Sequence, residues 1–266
     1  MEATISSNQN SQIKQIQNLL KSSKRRQEEG LFVAEGKRLC FDLLENNSEY
    51  VKKMYFSSSK ADELVPLMPN AALYEVVKDD IFEKVSETDN SQGVLALVKM
   101  PEYSVANLFD DQNAKDLKKS TVLLLDGLTD PGNAGTIMRT ALATGVKFVA
   151  FTGNSVDVYN PKVVRATMGA IFRLPFVYFK DTKEAIDALK EAGYKIASTH
   201  LSGDKMFNEI KYPIKCAVVI GNEAHGISDV SKEAADYLVK IPMEPGTESL
   251  NAAVAASLMM YKLYLG

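Results

Sequence analysis

Two cysteines and two histidines are all the chain offers of the residue types that most often hold metals or form disulfides. Cys40 and Cys216 each sit inside an apolar run, which argues against a disulfide framework and a cysteine-based zinc site and favours a reducing, cytoplasmic setting. His200 and His225 are too few and too far apart for a histidine-rich metal motif, so no metal is expected and loop roles account for both. Charge of one sign is also missing: 31 Lys and Arg face 34 Asp and Glu, for a net charge of -3. No overall basic field announces a nucleic acid, and such a partner must be held by a local patch. No apolar run approaches the roughly 18 residues of a membrane span. The polar start MEATISSNQNSQ lacks the basic-then-apolar layout of a signal peptide. A soluble protein with no membrane partner is expected.

What is present is ordinary globular material: 45% hydrophobic and 24% charged residues over 266 positions, enough for two domains or one large one. From Ser11 to Arg26 the segment SQIKQIQNLLKSSKRR carries only basic charges, with Ile13, Ile16, Leu19 and Leu20 at helical spacing. It reads as one basic amphipathic helix. Lys21, Lys24, Arg25 and Arg26 are either a solvated face or contacts to RNA phosphates, and charge alone does not choose. Up to residue 100, the runs LFVAEG, VKKMYFS, LYEVV and GVLALVKM alternate with helices starting near Lys37, Glu63 and Ile81, the pattern of a small α/β domain. Residues 101–120, with Asp110, Asp111 and Asp116 and little apolar pattern beyond Val105, Leu108 and Phe109, are assigned as a linker.

Residues 121–266 repeat the alternation more strongly. VLLLDG, FVAFTG, FVYF, YKIAS, CAVVIG and VKIPM are mostly continuous apolar strands, as parallel sheets buried on both faces require. Helical patterns lie at Asn133 to Thr144, Val163 to Phe172, Asp181 to Glu191, Lys232 to Leu238 and Asn251 to Tyr264. Asp181 with Glu184 forms a capping-box-like start, and Gly193 a stop.

The turn after VLLLDG is where an α/β domain usually binds phosphate. It reads DGLTDPGNAGTIMRTALATG and contains neither G-x-G-x-x-G nor G-x-x-x-x-G-K-[ST], which argues against dinucleotide dehydrogenases, Rossmann-type methyltransferases and P-loop enzymes. In the following helix Ala134, Ile137, Met138, Ala141, Leu142 and Gly145 form the packed stripe and Arg139 lies off it. Arg139 is thus either a solvated arginine or a two-pronged grip for phosphate. Asn133 and Gly132 read as helix cap and turn or as parts of a site. Further on, VVIGNEAHGIS offers Gly221, Asn222, Glu223 and Gly226 in a tight turn or a ligand loop, and in IPMEPGTESLNAAVAASLMMY either Ser249 or Asn251 caps an apolar helix.

In combination and order, DPGNAGTIMRTA, IGNEAHGIS and IPM followed by ESLNAAVAAS resemble the three motifs of the SpoU-type (TrmH-like) RNA 2′-O-ribose methyltransferases of the SPOUT superfamily. The resemblance covers Val122 to the C-terminus. Ala224 replaces a glycine frequent in that family, and Ala252 and Ala253 follow Asn251 where Val and Ser are frequent. LFVAEGKRLCFDLL and QGVLALV resemble the substrate-binding domain of rRNA-directed members, a small ribosomal-protein-like α/β fold.

The resemblance implies an α/β C-terminal domain with a parallel sheet and a deep trefoil knot, S-adenosylmethionine as cofactor, and a homodimer formed through that domain. By motif position, the cofactor is expected against Thr199, Gly221, Ile241, Met243 and Leu250. Arg139 is expected to clamp the target phosphate and stabilise the developing alkoxide. Asn133 and Glu223 would organise the RNA-facing pocket, and Ser249 and Asn251 would position loop and substrate. Ribosomal RNA is the expected substrate, with a tRNA ribose methyltransferase or a non-catalytic RNA-binding or ribosome-assembly protein as alternatives.

Overall fold

A computed structural model describes residues 1–88, 90–109 and 120–266. The chain begins α1 (Ser11–Lys21), α2 (Ser23–Glu29), β1 (Leu31–Glu35), α3 (Lys37–Asn46), β2 (Val51–Ser57), α4 (Ser58–Leu64), β3 (Tyr74–Val77), α5 (Asp79–Phe82) and β4 (Val94–Lys99). It continues with α6 (Val105–Phe109), β5 (Ser120–Asp126), α7 (Pro131–Ala143), β6 (Phe148–Thr152), α8 (Pro161–Ala166), β7 (Phe176–Phe179) and α9 (Thr182–Glu191). The last elements are β8 (Lys195–Thr199), β9 (Lys205–Met206), β10 (Lys215–Gly221), α10 (Asp229–Glu233), β11 (Tyr237–Lys240) and α11 (Ala252–Leu265). Two compact units result: residues 1–102 with 157–172, and residues 103–156 with 173–266.

The first unit is built on a four-stranded sheet in the order β1-β4-β2-β3, with β4 antiparallel to both β1 and β2 and β3 parallel to β2. Ile13, Ile16 and Leu19 of α1 pack with Leu31, Val33, Tyr55 and Leu95 in one buried cluster. The basic segment is not one helix. Ser22 adopts an extended conformation, ends α1 and caps α2 by accepting the N–H of Arg25.

Arg26 is buried rather than presented to a ligand. Its Nη1 donates to the carbonyls of Leu19 (2.5 Å) and Leu20 (3.3 Å), which α1 leaves unpaired at its end, while Nε and Nη2 donate to Asp157 Oδ2 at 3.0 and 2.6 Å. That removes Arg26 from the RNA-binding candidates. Lys21, Lys24 and Arg25 stay exposed, with Glu28 near the latter two. Residues 157–172, which the sequence pattern groups with the second half, cluster with the first because Phe32 packs on Tyr159 and Phe172, with ring centroids at 4.9 and 5.9 Å. The expected helix from Val163 to Phe172 stops at Ala166, since Met168 (φ 49°) and Gly169 (φ 88°) turn the backbone into the left-handed region.

The second unit is built on a seven-stranded sheet, β7-β6-β5-β10-β8-β11-β9, in which every pairing is parallel. β5 and β6 are buried along their whole length, as their apolar runs require. α9 packs on one face through Ala185, Ile186 and Leu189, and α11 packs against α7 and β10. Part of the assigned linker is structural: α6 inserts Leu108 into this core and sets Phe109 edge-on to Phe148. The acidic centre of that linker, 110–119, lies outside the described residues. Two assignments shift near β11. The helix expected over Lys232–Leu238 is α10, started earlier by the Ser228 cap, and the strand expected over VKIPM is Tyr237–Lys240. Pro242, with no N–H to give, lies beyond that strand in the following loop.

Arg26→Ala leaves Asp157 half of a broken buried pair, so urea denaturation should show a loss of about 3 kcal/mol. Lys24→Ala should change stability by less than about 0.5 kcal/mol. Equal small effects would contradict the structural assignment of Arg26.

Candidate active site at the carboxyl edge of the parallel sheet

Because all seven strands run the same way, β5, β8, β10 and β11 end on one edge, with Gly221 in register with Asp126 and Val239 with Thr199. The chain leaves β5 toward β6 on one side and meets β10 on the other, which makes the β5–β10 junction a topological switch point, the usual place for a ligand in open parallel sheets.

α7 opens here. Asp130 is its cap, accepting the N–H of Asn133 at 2.7 Å, and Pro131 follows at the first helical position. Asn133 is therefore not the cap but a residue of the first turn, with its side chain buried. Its amide nitrogen donates to Glu223 Oε1 (3.0 Å) and its amide oxygen accepts from Asn251 Nδ2 (2.9 Å). Asn251 caps α11 with its own oxygen, accepting the N–H groups of Ala253 and Val254. One amide thus joins the loops after β5, β10 and β11.

The loop after β10 is a tight turn closed by paired N–H···O bonds between Asn222 and Gly226, both at 2.9 Å. Gly221 has no substitute: a Cβ there would lie 2.0 Å from the carbonyl carbon of Gly226. Asn222 donates to the carbonyl of Gly127 and accepts the N–H groups of Ala224 and His225, which fixes what the turn displays. Besides Asn133, Glu223 accepts the N–H of Thr129, the hydroxyl of Thr129 and the N–H of Asp130. Partial burial pushes its carboxyl upward, but the hydrogen bond from Asn133 and the backbone donors together outweigh this and leave it below the usual value. The negative charge also sits at the N-terminus of α7, where the helix dipole favours it.

Beside this network lies a cavity of about 380 Å³ whose lining includes Thr199, Gly221, Ile241, Met243 and Leu250, the five positions expected to meet the cofactor. Ser249 and Glu223 line it too, as do His200 and His225. Its size falls within the range of roughly 300–1,000 Å³ typical of small-molecule sites. The Thr199 hydroxyl donates to the carbonyl of Val219. Asn133 and Asn251 border a second, open groove between α7 and α11. Arg139 stands apart. It is exposed on α7, off the packed stripe as expected, and lines neither the cavity nor the groove. Gly145, assigned to that stripe, is exposed and left-handed just past the helix.

Both thiols are buried, and desolvation, reinforced by Glu35 for Cys40 and Asp236 for Cys216, pushes their pKa values up, which excludes a thiolate nucleophile. Among the described residues no three His, Cys, Asp or Glu side chains converge as a metal site would need, and no helix is long and apolar enough to cross a membrane. Sequence reasoning missed Asp126 and Thr129, whose contacts join distant segments. The one local signal for Asp126 is a carboxylate closing an apolar strand.

The sequence profile of the SpoU rRNA Methylase family matches residues 120–261, and that of the MRM3-like substrate binding domain matches residues 10–96. A protein of Staphylococcus epidermidis described as a TrmH family tRNA/rRNA methyltransferase is 39% identical over 173 residues, 65% of this chain and 70% of the relative. The SpoU methyltransferase AviRb from Streptomyces viridochromogenes, solved with AdoMet, is similar at a TM-score of 0.83 and 28% identity over 97% of this chain and 98% of that one. An RNA 2′-O ribose methyltransferase is similar at a TM-score of 0.79 and 28% identity over 97% of both chains.

Since the folded pKa of Glu223 is depressed, its contribution to stability is complete above its ordinary value of 4.5 and is lost as pH falls below that. The difference in unfolding free energy between wild type and Glu223→Gln should therefore shrink between about pH 6 and about pH 3. A constant difference would contradict the network.

Proposed function

We propose that this chain, which belongs to the SpoU rRNA methylase family, methylates a ribose 2′-hydroxyl of RNA, with ribosomal RNA favoured over transfer RNA. At the level of class it is an S-adenosylmethionine-dependent RNA methyltransferase. The observation that carries the finer reading is the convergence of three separate motif segments on one amide network, with the second and third of them lining the cavity beside it. The family's deep trefoil knot belongs to the same reading.

The cavity suits the cofactor: Gly221 brings bare backbone to its wall, Ile241, Met243 and Leu250 offer apolar surface, and Thr199 adds a polar edge. When bound, S-adenosylmethionine supplies an electrophilic methyl group on a sulfonium, a good leaving group, so much of the rate can come from alignment. Glu223 is a poor base because its depressed pKa and four donors hold it ionised and occupied. It orders the pocket with Asn133, while Ser249 and Asn251 fix the loop that leads into α11. A guanidinium keeps its proton at any accessible pH. Arg139 accordingly clamps the target phosphate and stabilises negative charge growing on the ribose oxygen.

Lys21, Lys24 and Arg25 are the RNA contacts proposed in the first unit, the region that matches the substrate-binding domain. A homodimer through the C-terminal domain is supported by Val254, Leu258, Tyr261 and Leu265, apolar, exposed and spaced along one stripe of α11. The buried free thiols accord with a cytoplasmic setting.

Arg139→Ala should lower methyl transfer to total RNA by at least about 100-fold while calorimetry shows unchanged S-adenosylmethionine affinity. Near-normal turnover would contradict the assignment. Sedimentation at micromolar concentration should show a dimer that Leu258→Glu converts to monomer, and a monomeric wild type would refute the interface.

A further inference from the structure

We propose that Asp126 is a positioning residue that shapes the cofactor cavity by tethering the turn after β10. The inference rests on the reading of that cavity as the S-adenosylmethionine site. Asp126 is the last residue of β5 and is buried. One carboxylate oxygen, Oδ2, accepts the N–H of Ser228 (2.8 Å), the hydroxyl of Ser228 (2.7 Å) and the hydroxyl of Ser231 (2.7 Å). The other, Oδ1, accepts the hydroxyl of Thr182 on α9. These donors are all neutral.

Burying a carboxylate among neutral donors is costly and persists only when enough hydrogen bonds satisfy it. Three of the four bonds go to the segment that follows the cavity-lining turn, whose other end is held by the bond from Asn222 to Gly127. Asp126, at the end of β5, and Gly127, which follows it, thereby hold both ends of the turn, and what lies between, Glu223 to Gly226, lines the cavity. Oδ2 faces the turn and Oδ1 faces α9, so the two functions of the carboxylate are separable by mutation. An asparagine cannot replace it, because its amide nitrogen would have to point at donors on one side or the other.

Calorimetric titration of the full-length protein with S-adenosylmethionine tests this. Ser228→Ala, which removes a hydroxyl bonded to Oδ2, should weaken binding roughly 10-fold, and Asp126→Asn at least as much. Ser228→Thr, which keeps the hydroxyl, should restore binding. Thr182→Val, which removes only the α9 side, should lower the melting temperature and leave the affinity within about twofold. In steady state Ser228→Ala should raise the KM for S-adenosylmethionine and leave the KM for RNA unchanged. Wild-type affinity in Ser228→Ala, or equal weakening in Ser228→Ala and Thr182→Val, would overturn the positioning role while leaving the cavity assignment intact. Absence of binding by the wild-type protein would overturn the cavity assignment and the inference with it.

Discussion

A single buried amide, that of Asn133, is the interaction on which the site depends. It donates to a carboxylate on the loop after β10 and accepts from the residue that caps α11. An amide is the side chain suited to the task, because it presents a donor and an acceptor on opposite corners of one rigid plane. A carboxylate would repel Glu223, and an apolar group would make neither bond. The three loops consequently hold one another, and the cavity wall formed by the loops after β10 and β11 is set before any ligand arrives.

The parallel sheet determines why these loops meet. Strand direction puts the ends of β5, β8, β10 and β11 on one edge, and the reversal of strand order between β5 and β10 opens the gap beside which Gly221 closes its turn. Electrostatics then divides the labour. The N-terminus of α7 is a natural anion site, but Glu223 already occupies it, so an RNA phosphate needs another receiver. Arg139, eight residues further along α7, is exposed and off the packed stripe, which is why the phosphate role is proposed for it.

Much of the fold was legible because burial on both faces leaves a plain signature: VLLL and CAVVI are apolar without interruption, and their strands are buried as those runs demand. The cap at Asp181 was equally local, since its oxygen accepts the N–H of Glu184 three residues on. What could not be read depends on partners distant in sequence. Arg26 looks like one more cation in a basic run, and its pairing with Asp157, 131 residues away, gives no local sign of the structural role. Asn133 has a local reading as a cap, and its actual partners lie 90 and 118 residues further on. Tyr237 and Leu238, the first half of the strand YLVK, read as the end of a helix until the sheet supplies β8 as their neighbour. Motif order singled out the candidate residues, but it did not reveal that Asp126 and Thr129 bond to the segment after β10.

Glu223 and Asn251 are each bonded to Asn133 and not to one another, so any energetic coupling between them passes through its amide. A double-mutant cycle of Glu223→Ala and Asn251→Ala in unfolding free energy, run with Asn133 present and again with Asn133→Ala, measures that directly. A coupling of at least about 0.5 kcal/mol that vanishes when Asn133 is removed is the predicted result. Additive effects with Asn133 in place would contradict the claim that one amide unites the three loops.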